Sequence, residues 1–255
     1  MIFFLSIRLF IAAFILGAVS KLLGHSLRLT KRELLTSTVV GVSLHAIYLG
    51  GVWEAISLGA PAGISAVITS LQPVLVSILA IYLLGERLRS SALFGLLFGF
   101  IGVLIVLEPS FEKSGTMHGV SLALLVLALA GSTFSTLSQR KFGINVPLLV
   151  GTTYQFLISA LILGLISLVS GRTFMEWTIQ STLAMLWAVL VTSIAAVLLL
   201  LWMLTQGSAA KVSSLLYLVP PMTAVQAWIL FGEKLNAQTV IGIAMTALGV
   251  ALVQR

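Results

Sequence analysis

Apolar runs broken by short polar links fill almost the whole chain. Nine of them, at residues 2–22, 35–56, 62–84, 91–109, 118–137, 147–169, 181–204, 208–231 and 236–254, approach or exceed the length of a membrane-crossing helix. About 20 mainly apolar residues in α-helical form cover the ~30 Å of hydrocarbon in a bilayer. None of the runs alternates polar and apolar residues over ten-residue segments, as a membrane β-strand would. The pattern therefore predicts an all-α, polytopic membrane protein with nine transmembrane helices. Links such as "GAPAG", "GERLRS", "QRKFG" and "GEKLN" leave no room for a soluble domain, so the chain reads as one integral membrane domain.

Composition agrees and removes several function classes. Charged residues are 8% of the chain and hydrophobic ones 59%, and a charged share so far below the roughly 25% of soluble domains cannot build a surface that faces water. The net charge of +7 is no sign of a nucleic-acid partner, because the basic residues are scattered over links rather than gathered on one face. With no Cys, there is no disulfide and no thiolate ligand. His25, His45 and His118 lie far apart and form no metal pattern, so neither metal nor other cofactor is expected. No phosphate-binding glycine loop is present to drive an ATP pump, and no constellation of acids and bases marks an enzyme.

Basic residues also set an orientation. If the link after the first run is cytoplasmic, Lys21, Arg28, Lys31, Arg32, Arg87, Arg89, Arg140, Lys141, Lys211 and Arg255 fall on that side, and Lys113, Arg172 and Lys234 on the other. The positive-inside rule then sets the C-terminus in the cytoplasm and the N-terminus outside, and the expected location is the cell's inner (plasma) membrane, as a multi-pass protein.

Sliding the chain against itself by 147 residues aligns 62–106 with 209–253. Pro73 falls on Pro220, Gly85, Glu86 and Leu88 on Gly232, Glu233 and Leu235, and Gly95 and Gly102 on Gly242 and Gly249. The matched runs cross the bilayer in opposite senses, so the chain reads as an inverted repeat, an arrangement common in secondary transporters. Residues 1–112 form the first copy and 113–255 the second. The run at 118–137 has no mate in the first copy, so the first copy reads as one helix short.

The stretches "GISAVITSLQPVLVSILAIYLLGERLRSSALFGLLFGFIGVLIVLEP" and "AKVSSLLYLVPPMTAVQAWILFGEKLNAQTVIGIAMTALGVALV" resemble the C-terminal halves of the two EamA-type repeats of the drug/metabolite transporter superfamily. "FFLSIRLFIAAFIL" resembles the second helix of the first repeat. The resemblance implies the ten-helix EamA-type fold, two inverted five-helix repeats, here with the first helix missing. It also implies a central cavity and movement of small metabolites or drug-like solutes without ATP, and it admits a homodimer.

Several residues then become candidates for a substrate or proton-linked cavity. Arg8 and Glu54 stand at comparable depth in adjacent antiparallel runs and are expected to face each other. The alternative is that Arg8 snorkels to the headgroups and Glu54 marks a helix end. His45, with Tyr48 one turn on, lies near mid-membrane, where it either binds an anion or relays a proton, or makes an interhelical hydrogen bond. Pro73 and Pro220, the latter followed by Pro221, fall near the midplane with Ser70, Gln72 and Tyr217 beside them. Interruptions in corresponding segments point to a transporter's binding region; a passive kink is the plainer reading. Gly85, Glu86, Gly232 and Glu233 read as structural helix-end motifs, each glutamate placed near the N-terminus of the following helix. Gly95 and Gly99 form a GxxxG face for internal packing or for a dimer. The function expected is alternating-access transport of a small organic solute, as secondary active export, with lipid as the surroundings and protons as a candidate coupling ion; the alternative is a non-transport structural or assembly protein of the membrane.

Overall fold

A computed structural model describes residues 1–108, 119–231 and 236–254. Among the described residues, eight helices are long and apolar enough to cross a membrane. In chain order they are α1 (Ile2–Leu22), α2 (Lys31–Ser57), α3 (Ala62–Leu84), α4 (Ser90–Leu107), α5 (Gly119–Phe142), α6 (Leu148–Val169), α7 (Ile179–Gln206) and, last, α9 (Ala237–Gln254). The remaining apolar run, α8, is helical in three pieces: Ala209–Ser214, a 3-10 turn at Leu215–Leu218, and Val219–Phe231.

Helix ends follow capping chemistry more closely than hydropathy. α2 begins four residues before the apolar run because Thr30 and Glu33 close a capping box: the Glu33 amide donates to Thr30 Oγ1 at 3.3 Å, and the Glu33 carboxylate accepts from the Thr30 amide at 2.7 Å. Thr178 and Ser181 do the same at the start of α7. α5 continues past its apolar stretch through Arg140, whose guanidinium donates to the Leu204 carbonyl at 3.0 Å and so satisfies one of the orphan acceptors at the end of α7.

The proline-bearing runs are both broken just ahead of the ring. α3 is two helices, Ala62–Ser70 and Gln72–Leu84, with Pro73 in the first turn of the second. In α8 the 3-10 turn precedes the piece that carries Pro220 and Pro221. Proline offers no N–H and clashes with the preceding turn, yet fits the first turn of a helix, so a break immediately upstream is the relaxed solution. Two further irregularities carry no such sequence signal. Val42–Leu49 in α2 and Ala188–Ala195 in α7 are π-helical, and the second starts close to 147 residues after the first.

The chain packs as two compact units that each draw on both halves of the sequence. In the first, residues 1–54 and 134–206, α1 lies along α6. Leu5, Leu9, Ala12, Leu16, Phe156, Ala160 and Leu163 form its core with Met185 and Val189 of α7. Ser6 Oγ donates to the Ala160 carbonyl at 2.8 Å, a short contact between the two helices. α2 comes as close to α6: a Cβ on Gly41 would stand 2.5 Å from Gln155 Cα.

In the second unit, residues 55–133 and 207–255, α4 crosses α9 backbone to backbone. A Cβ on Gly95 would meet the Gly249 carbonyl at 2.6 Å, and one on Gly242 would meet the Gly102 carbonyl at 2.9 Å. Lipid tails offer no hydrophobic driving force for helix association, so small residues that permit close van der Waals contact do this work. The Gly95 and Gly99 face is thus engaged inside the chain: Gly95 against α9, and Gly99 against the buried ring of Tyr217. Large apolar side chains are exposed on both units, Phe14 at 74% in the first and Phe94 at 62% in the second among them, as a hydrocarbon environment allows.

Candidate substrate site

Arg8 is the charged side chain set deepest in the first unit. It is 9% exposed, and its Nε donates to Ser193 Oγ at 2.7 Å. Ser193 belongs to the π-helical part of α7, where one extra residue per turn redirects side chains. Nε holds one side of the guanidinium. Among the described residues no hydrogen bond or ion pair reaches its two terminal nitrogens.

His45 belongs to the matching π-helical part of α2 and is 1% exposed. Its ring meets Phe156 edge-on, centroids 4.8 Å apart at 62°. Neither ring nitrogen has a hydrogen-bond partner among the described residues. An unpartnered polar group in a low-dielectric interior costs of order 1–3 kcal/mol, which marks the ring as a candidate contact. Tyr48, half-buried, continues the same π-helical segment.

The second unit holds the proline-linked candidates. Gln72 is 5% exposed and its amide donates to the Ser132 carbonyl at 3.5 Å, a long bond. Ser70 Oγ donates to the Val67 carbonyl at 2.7 Å, so its hydroxyl is engaged within its own helix. Tyr217 is fully buried, and its hydroxyl has no hydrogen-bond partner among the described residues. Pro73 and Pro221 are buried, and Pro220 is partly so.

Two expected partnerships are replaced by others. Glu54 does not pair with Arg8: it accepts from Arg172 Nη1 at 2.7 Å, where the arginine side chain is 60% exposed. Glu54 lies in the last turns of α2 and Arg172 just beyond α6, so the two helix ends bring them together while Arg8 turns toward α7. Glu86 reaches a helix other than the following one. Its carboxylate accepts from the amides of Ala209 at 2.7 Å and Ala210 at 3.4 Å, the orphan donors at the start of α8. Gly85 ends α3 in the left-handed conformation at φ 66°, as a glycine C-cap does. Gly232 and Glu233, and the link residues Lys113 and Lys234, lie outside the described residues.

Sequence reasoning missed Ser193. Its signal was present, a Thr-Ser pair in the middle of "VLVTSIAAV", where a polar pair inside an apolar run needs a partner. It also missed Gln155, buried at 3% with an unpartnered carbonyl oxygen that lines a small pocket with Ser37, Gln139 and Thr152. Among the described residues no group of three His, Cys, Asp or Glu could hold a metal ion.

Membrane-length helices joined by short links, with buried polar side chains set at helix irregularities, define a polytopic integral membrane protein. Over residues 1–108 and 117–255 the chain matches the EamA-like transporter family, and it belongs to that family. It is similar to an uncharacterized transporter of Archaeoglobus fulgidus, 26% identical over 221 residues, which cover 85% of this chain and 75% of that one. A WAT1-related chloroplastic protein of Arabidopsis thaliana is 26% identical over 200 residues; that match takes in 75% of this chain and 48% of the plant protein. One crystal structure superposes with a TM-score of 0.85 at 18% identity, covering 99% of this chain and 88% of its own, a likeness of fold. The protein is therefore a polytopic membrane transporter.

Proposed function

We propose that the protein carries a small organic solute across the cell's inner membrane by alternating access, as secondary active export, with its C-terminus in the cytoplasm. The observation that carries this reading is the pair of buried, incompletely partnered side chains Arg8 and His45, held at π-helical irregularities inside membrane-length helices. Intramembrane ionisable groups of this kind mark substrate and ion pathways, and His45 is the group suited to link transport to protons. Tyr48, in the same π-helical segment as His45, is a further candidate contact in the first unit; in the second unit, taken by itself, the candidates are Gln72, Tyr217 and the breaks at Pro73, Pro220 and Pro221.

Internal symmetry supports the alternating-access part. α1 packs on α6 and α4 on α9, each helix against the one found 147 residues along, and the Gly95–Gly249 and Gly102–Gly242 approaches exchange under that shift. Related helices in opposite senses provide two nearly equivalent packings, the basis of inward- and outward-open states. The decisive experiment compares metabolite content and drug resistance of cells with and without the intact protein. A solute retained in cells without it, and moved by the purified protein in proteoliposomes, is the expected result; no difference in any solute with well-inserted protein would overturn the reading.

A further inference from the structure

We infer that the solute carries a single carboxylate and that Arg8 is the residue that holds it; the inference rests on the transport reading above and names the substrate class for it. The sequence contains no Asp, and the Glu residues among the described ones, at 33, 54, 86, 108 and 176, fall near helix ends or in links. Glu54 is paired with Arg172, Glu86 takes the Ala209 amide, and Glu108 accepts from the Gln238 side chain at 2.8 Å. Among the described residues, a cationic solute deep in the membrane span would find no acidic counter-charge. An anionic one would find Arg8.

Geometry narrows the anion. A guanidinium can bind a carboxylate bidentately through its two terminal nitrogens or through Nε and one of them. Ser193 occupies Nε at 2.7 Å, which removes the side-on mode and fixes the plane of the group. The end-on pair of terminal nitrogens is left to meet two coplanar oxygens, the shape of a carboxylate. Charge favours a carboxylate over a phosphate monoester as well. One guanidinium balances one negative charge, whereas a phosphate monoester carries about −1.5 to −2 at neutral pH, and the excess would lie uncompensated within the span. His45, in the same unit and with two unpartnered ring nitrogens, is a candidate second polar contact for the solute.

The test uses the purified full chain, in proteoliposomes for transport and in detergent for ligand-induced thermal stabilisation. The probes are benzoate against benzamide, phenylalanine against phenylalaninamide, phenyl phosphate, and tetraphenylphosphonium as a lipophilic cation. At least one acid is expected to stabilise the protein and be transported, at least tenfold more effectively than its amide, with phenyl phosphate and the cation inactive. Arg8→Lys keeps the charge but loses the planar fork and the Ser193 anchor, and is expected to lose at least tenfold in carboxylate transport. Ser193→Ala leaves the guanidinium in place but unaligned, and is expected to raise KM several-fold with kcat little changed. If Arg8→Lys is poorly inserted, the acid-against-amide comparison on the intact protein decides alone. Equal response to acids and amides, preference for the cation or phosphate, or unchanged carboxylate transport by a well-inserted Arg8→Lys would overturn this inference and leave the transport reading standing. Failure to move any solute in both this assay and the cellular comparison would count against the transport reading itself.

Discussion

Which partner a charged side chain takes decides what its removal does. Arg8 and Glu54 were legible in the sequence as unusual charges in apolar runs, but their partners were not, because hydropathy fixes depth and not the direction a side chain faces around its helix. Arg8 turns to Ser193 and Glu54 to Arg172, so the two substitutions should behave independently. Arg8→Ala is expected to remove most transport with little loss of inserted protein. Glu54→Gln should alter stability by no more than about 1 kcal/mol, as is usual for an ion pair with an exposed partner. In a double-mutant cycle on transport, Arg8→Ala with Glu54→Gln should be additive within about 0.5 kcal/mol, whereas Arg8→Ala with Ser193→Ala should not. Strong coupling between Arg8 and Glu54 would contradict the arrangement described.

At the level of helices, the sequence located the apolar runs and both proline breaks, since length and proline act locally. The π-helical segments left no trace, because their residues, "VSLHAIYL" and "AVLVTSIA", would sit equally well in an α-helix. Capping across the fold was also hidden: the GERL motif was readable as a helix end, but the amides it serves are those of Ala209 and Ala210. Glu86→Gln keeps one acceptor but removes the charge that favours a helix N-terminus, and is expected to cost about 1 kcal/mol, read as a lower midpoint of thermal unfolding in detergent. Close backbone contacts are less forgiving. A Cβ on Gly249 would stand 2.6 Å from the Gly95 carbonyl and 2.7 Å from Gly99 Cα. Backbone cannot yield as a side chain does, so Gly249→Ala should destabilise by about 1–3 kcal/mol; unfolding at the wild-type midpoint would argue that α4 and α9 separate readily.

For the whole molecule, membrane character and family were open to sequence reading because they rest on composition and on motifs spread over the chain. The grouping of helices into two units was not, since contact depends on how distant segments fold back. The proposed orientation predicts that reporters fused after residues 142 and 254 are active on the cytoplasmic side and one after residue 113 on the opposite side; an external reporter at 254 would reverse the assignment. The pairing of α1 with α6 and of α4 with α9 also bears on biosynthesis. When the ribosome has completed the first 112 residues, neither α1 nor the glycine face of α4 has met its main neighbour, and α9 is the last described helix to emerge. α1 must wait in the bilayer until α6 is made, and the glycine face of α4 until translation is nearly over. Fragments 1–112 and 113–255 made as separate polypeptides should therefore be degraded singly, yet rescue each other and copurify when produced together.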